Sequence, residues 1–232
     1  MTTSGTITYQ PTAAEFIEGM FAILGIGQEG EALTPRMYND GLRALNGLIQ
    51  TYSAHPHLWT AVEGSVTLVA DTPSYIVSPR ALRVTSVRRR LNGIDVPMRE
   101  FSRQEYFDQP NKTVSSSIPV NFYFDPKVAD GTIYLWPAPS SQTVAAGYTV
   151  NYTYVRFMDV VTATNETLDL PQQWAEPIMW NGAKRLMTQY PVNDGQLAQI
   201  VLSQAAEYEA RLMQWDNEPA SLYMQPDTQA WR

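Results

Sequence analysis

The 232-residue chain contains no cysteine. Disulfides, thiol nucleophiles and thiolate metal sites are excluded with it, and a reducing cytosolic origin fits. Histidine is scarce as well: His55 and His57 flank Pro56, and there is no other. An H-x-H pair can give a metal two ligands, but a zinc site needs a third or fourth. The pair is better read as lying near a helix C-terminus, where imidazoles meet the last carbonyls. No metal and no cofactor are expected. Nucleotide-binding and hydrolase signatures are missing, with no G-x-S-x-G, Walker loop or G-x-G-x-x-G. Gly25-Ile26-Gly27 lacks a third glycine and follows a helical stretch, the wrong context for a phosphate loop.

Long apolar runs are lacking. None approaches the roughly 20 residues of a membrane span, so no membrane partner is expected. The opening MTTSGTITYQ has neither a basic nor an apolar signal region, so no secretory signal is expected. Basic residues are outnumbered, 16 Lys and Arg against 23 Asp and Glu, for a formal net charge of −7. An acidic surface repels phosphate backbones, which excludes DNA binding by counterion release. The same sign suits a channel wall that a duplex slides past, as well as plain solubility. Internal repeats and low-complexity segments are absent too.

What is present is a globular composition, 44% hydrophobic, in a chain long enough for one large or two small domains. Residues 10–55 read as two helices. Thr12 and Glu15 form a capping box ahead of Phe16, Met20, Phe21 and Leu24, with Gly25 and Gly27 as the stop. Thr34 caps the second helix, with Pro35 at its first position, and Tyr38, Leu42, Leu45, Ile49 and Tyr52 make the apolar stripe. The middle changes period. Six short runs, at 65–69, 82–91, 94–98, 121–124, 133–136 and 148–155, are rich in Val, Ile, Tyr and Phe, which predicts a small sandwich or curled sheet. Asn92-Gly93 is the strongest hairpin signal, and Asp130-Gly131 is a second turn. Ser102–Phe107 reads as an isolated helical turn.

Helical spacing resumes after Leu168. Ile178, Gly182, Leu186 and Tyr190 give the period, Pro177 is expected to kink or restart that helix, and Pro191 to close it. Asn193 with Gln196 is expected to cap a last helix with the stripe Leu197, Val201, Tyr208, Leu212 and Trp215. From Asp216 the chain has two prolines and no period. The expected fold class is α+β: an antiparallel helical bundle from the N- and C-terminal segments, an inserted small antiparallel β domain, and an extended C-terminal tail. Residues 1–58 and 160–217 form the bundle, 59–159 the insert and 218–232 the tail.

Four groups are candidates for function. Glu100, Glu105 and Asp108 lie close together near aromatics, yet a solvated helical turn accounts for them, and a glycosidase dyad needs a geometry that sequence does not give. The aromatics Phe122, Tyr123, Phe124, Tyr134, Trp136, Tyr148, Tyr152 and Tyr154 fit a sugar-stacking platform, but alternating aromatics on strands are usually core. Arg80, Arg83, Arg88, Arg89, Arg90, Arg99 and Arg103 concentrate the basic charge on one hairpin. They read as a solvated strand face or as a docking surface, with Arg88, Arg89 and Arg90 meeting acidic groups of a neighbouring subunit or tail protein. In the tail, Leu222, Tyr223, Met224 and Trp231 are large apolar groups in a polar strip, suited to binding coupled to ordering.

The sequence is similar to a known family through "AAEFIEGMFAILGI", "LTPRMYNDGLRALNGLIQTYSA", an insert carrying "NFYFDP" and "IYLWPAP", and "LDLPQQWAEPIMWNGAKRL". It resembles the head-to-tail adaptors of short-tailed bacteriophages, also called tail accessory factors or packaged-DNA stabilisation proteins. The likeness spans roughly residues 10–215. It implies a structural protein of the virion neck or tail, assembled in the host cytoplasm. It implies a homo-oligomeric ring, dodecameric in the virion, that sits under the portal protein, extends the DNA channel without sequence-specific binding, and offers a platform to a tail or nozzle protein. It also implies a C-terminal extension that grips the portal, which makes Leu222, Tyr223, Met224 and Trp231 portal-binding candidates. No catalytic residues carry over, so no enzyme is expected. A carbohydrate-binding module or a cell-wall hydrolase of a phage tail is the alternative on the residues alone.

Overall fold

The computed structural model describes residues 8–27, 31–115 and 118–215. Within them lie six α-helices and two four-stranded sheets, an α+β fold. Helix α1 (Ala13–Ile23) begins at the expected capping box: Thr12 accepts from the Glu15 backbone, and Glu15 returns the bond to the Thr12 N–H. Two further N–H groups of its first turn are bonded by the chain beside it, Ala13 to the Glu166 carbonyl and Ala14 to the Thr164 carbonyl, both at 2.8 Å. Gly25 and Gly27 follow at φ 76°, a conformation that any side chain would strain. Helix α2 (Pro35–Tyr52) starts on the Thr34 cap with Pro35 at its first position, as expected.

Helices α1 and α2 pack on α5 (Ala175–Leu186), which also carries α6 (Gly195–Trp215). Small residues let the helices approach. A Cβ at Gly182 would fall 1.9 Å from Met20 Sδ, and one at Gly41 would fall 2.6 Å from Ile17. Both approaches are made inside the chain, between its own helices. Pro177 neither kinks nor restarts α5: it is the helix's third residue, where the missing N–H has no intrahelical partner to lose. The helix ends at Leu186, before Pro191, and Tyr190 turns back to meet the Phe21 ring edge-on at 5.0 Å. The cap of α6 is Asp194, whose carboxylate accepts from the Gln196 N–H at 2.8 Å, rather than Asn193.

One sheet runs β1–β8–β3–β4 and is wholly antiparallel: β1 (Ala61–Thr67), β8 (Thr149–Arg156), β3 (Ala81–Leu91) and β4 (Ile94–Pro97). The other runs β2–β7–β6–β5, with β2 (Ser74–Val77), β7 (Gly131–Trp136), β6 (Asn121–Asp125) and the parallel edge β5 (Arg99–Glu100). Strand β2 has no counterpart in the sequence reading, and β1 starts at Ala61 rather than Ser65. Helix α4 (Ser141–Ala145) was not expected either. The NG hairpin is as read: Asn92 and Gly93 have φ 49° and 80°, the two positive values of a type I′ turn. Asp130-Gly131 is less simple. Gly131 is already in β7, where a Cβ would meet the Phe124 ring at 2.4 Å.

Pleat alternation sorts the aromatics. Phe122, Ile133 and Leu135 point between the sheets with Val84, Val87, Tyr152 and Tyr154. Tyr123, Tyr134 and Trp136 point to the other face, under α3 (Arg103–Phe107), beside Phe101 and Tyr106. The aromatic run is therefore interior packing. A separate cluster joins the helices to Met158, Val161 and Leu168 of the returning chain.

Candidate docking surfaces

The arginine-rich hairpin is β3, the NG turn and β4. A two-residue turn closes on Leu91 and Ile94, which places Arg90 opposite Asp95 and Arg89 opposite Val96. Arg90 grips Asp95 with two bonds of 2.6 Å. That bond holds the Asp95 carboxyl below the usual carboxylate range and raises the guanidinium above its own. Arg88 reaches across β8 to Glu63 at 2.5 Å and to Thr153 at 3.3 Å. Arg89 turns the other way, to the Pro119 carbonyl at 3.1 Å, and lines a cleft of about 530 Å³ with Val120, Thr143 and Tyr148. Strand pleat thus divides the three expected docking residues. Arg88 and Arg90 share the outer face, each with an acid of its own chain, and Arg89 lies on the inner one. Asp95 is legible from the turn, which fixes register, whereas Glu63 lies two strands away and leaves no local signal.

The other arginines scatter. Arg80 is exposed and lies over the Phe157 ring at 4.5 Å, while Arg103 lies 5.7 Å from the Phe107 ring centre. Arg99 pairs with Glu105 at 2.9 Å. Glu105 closes a capping box with Ser102, and the bonds from that residue lower its pKa most. The acidic trio around it is a helix start, with Glu100 and Asp108 exposed. Arg156 forks onto Asp169, which holds that carboxyl low. This pair ties β8 to the chain that leads into α5, and sequence separation hides it.

His57 is buried at the end of α2, its Nε2 3.0 Å from the Tyr52 carbonyl. Its ring meets Trp174 edge-on at 4.8 Å. His55 is exposed. Among the described residues, no three His, Cys, Asp or Glu side chains group as metal ligands, and no helix is long and apolar enough to cross a membrane. Leu222, Tyr223, Met224 and Trp231 lie outside the described residues.

The fold defines an α+β protein whose distinguishing surface is an arginine-rich, internally paired hairpin on an acidic chain. A sequence model of the SU10 adaptor protein family matches residues 12–229, most of its length. The chain belongs to that family, a family of phage head–tail adaptors. Comparison with curated proteins gave no match.

Proposed function

We propose that the chain is a structural, non-catalytic adaptor of the virion neck, forming a ring under the portal protein. The ring extends the DNA channel and offers a platform to a tail or nozzle protein. The observation that carries this reading is the family match across residues 12–229. The residues support it: the acidic balance of −7 suits a wall that DNA passes without adhering. In this reading the helical frame, residues 1–58 with 160–217, acts as one bundle and 59–159 as a projecting β domain. Residues 218–232 grip the portal through Leu222, Tyr223, Met224 and Trp231. Arg88, Arg89 and Arg90 border the contact to a neighbouring subunit or the tail.

The free subunit is expected to be a monomer or small oligomer and to close into a twelve-membered ring on the portal, which supplies the template for closure. Analytical ultracentrifugation of the chain with and without portal tests this. A portal that sediments unchanged after mixing overturns it.

A further inference from the structure

Among the described residues, both ends of the β1–β8–β3–β4 sheet are open edges. Edge strands expose unpaired N–H and C=O groups, and proteins usually blunt them with brevity, proline, bulges or cover. Three of the four edges in this fold are short: β2 and β4 have four residues each and β5 has two. β1 has seven, pairs with β8 without a register shift, and contains no proline. Its inward residues Val62, Gly64 and Val66 are only half-buried, whereas their neighbours Val150, Tyr152 and Tyr154 on β8 are buried. Among the described residues, no strand pairs with that edge.

The opposite end shows the complementary defect. In β4, Ile94 is 69% and Val96 38% exposed. Closure of the hairpin at Leu91 and Ile94 sets both residues opposite Leu91 and Arg89, on the inward side of the pleat. It also turns the Asp95 N–H and C=O and the Pro97 C=O toward the free edge. Strand sense alternates across the sheet, so a β1 placed beside β4 in the same alternation is antiparallel to it. The apolar side of each edge then meets the other, Ile94 and Val96 beside Val62 and Val66. The outward acids at the seam, Asp95 and Glu63, are already paired within their own chain, with Arg90 and Arg88.

We propose that the occupant of each edge is a second copy of this chain: β4 of one subunit adds antiparallel to β1 of the next, and the sheet continues from subunit to subunit. The contact is heterologous, each copy giving two different edges, so it propagates and closes by rotation. It rests on the ring reading above and names one seam of that ring. Pro97 leaves β4 few donors, so the seam is weak alone and gains from the other ring contacts.

The absence of cysteine makes the test clean. Val66→Cys in β1 and Ile94→Cys in β4, both on the inward side of the pleat, are placed in one chain, bound to portal and treated with a bismaleimide. The doubly substituted chain is expected to give a ladder of covalent species beyond the dimer, and each single variant no ladder. A ring that sediments with portal but gives no ladder overturns the seam and leaves the ring reading intact. If no ring sediments, both fall. A second variant, Ile94→Lys with Val96→Lys, places charge at exposed edge positions. It is expected to keep the melting temperature of the free chain and to weaken ring formation at least tenfold. Unchanged ring formation overturns the proposal.

Discussion

Arg156 and Asp169 carry the connection between β8 and the helical core, with side chains 22% and 27% exposed. Asn46 works beside them, its amide accepting from Val161 N–H at 2.9 Å and donating to the Val161 carbonyl at 2.8 Å. Asp169→Asn keeps the shape and removes the charge. It is expected to cost about 1–2 kcal/mol at neutral pH, below the range for fully buried pairs because both groups touch water. The folded carboxyl has its pKa lowered, mainly by the Arg156 bond. Its stabilisation is therefore present above the unfolded value of about 3.9 and fades as pH falls through the folded one. Thermal melts from neutral pH downward check this: wild type and variant are expected to differ at pH 7 and to converge in acid. A constant gap across that range counts against the charge as the cause. Neither partner stood out in the sequence, because thirteen positions separate them and no local pattern links them.

The β3–β4 hairpin shows what an element adds to its residues. Three consecutive arginines read as one patch until the pleat sends alternate side chains to opposite faces. With Arg88 on Glu63 and Arg90 on Asp95, the charges are also part of the sheet's own bonding. Replacing all three by Glu is therefore expected to lower the melting temperature, since like charges then stand together in both pairs. The sequence alone predicts an unchanged melt for exposed charges, so calorimetry of that variant separates the two expectations. Gln at the same positions avoids the repulsion and is the better probe of docking. Helix α5 makes a parallel point. Pro177, Gly182 and Arg185 look like a breaker, a weak point and a surface charge. In place they are a first-turn proline, a seat for Met20 and a cover for Gly47.

At the scale of the molecule, helices and sheets keep separate apolar clusters, joined where residues 157–170 return from β8 to α1 and α5. Thr12 bridges to Thr167, and the Ser53 hydroxyl accepts from the Met158 N–H at 3.2 Å. The described clusters draw on residues up to Leu212, so a chain ending at Glu218 is expected to fold with an unchanged melting temperature. If the tail grips the portal as proposed, the same truncation abolishes co-sedimentation with portal, since the apolar anchors would have to offset the cost of ordering it. Wild-type affinity in the truncated chain moves the portal contact to the helical frame.

The sequence by itself determined what depends on near neighbours. The capping box at Thr12, the Thr34–Pro35 start, the glycine stop at Gly25 and the Asn92-Gly93 turn each need four residues or fewer, and each stands where it was read. Composition settled the absence of thiol chemistry, and the aromatic alternation gave the sandwich interior. Tertiary structure decided what depends on distant partners: the strand β2, the pairing of β5 with β6, and the Arg88–Glu63 and Arg156–Asp169 pairs. It also decided that Gly41 and Gly182 serve contacts within one subunit. Local signals act through backbone dihedrals and i-to-i+4 bonds, which the sequence carries openly. Cross-strand register, and which glycine lies under which methionine, are set by how whole elements pack, and that is fixed only once the chain has closed on itself.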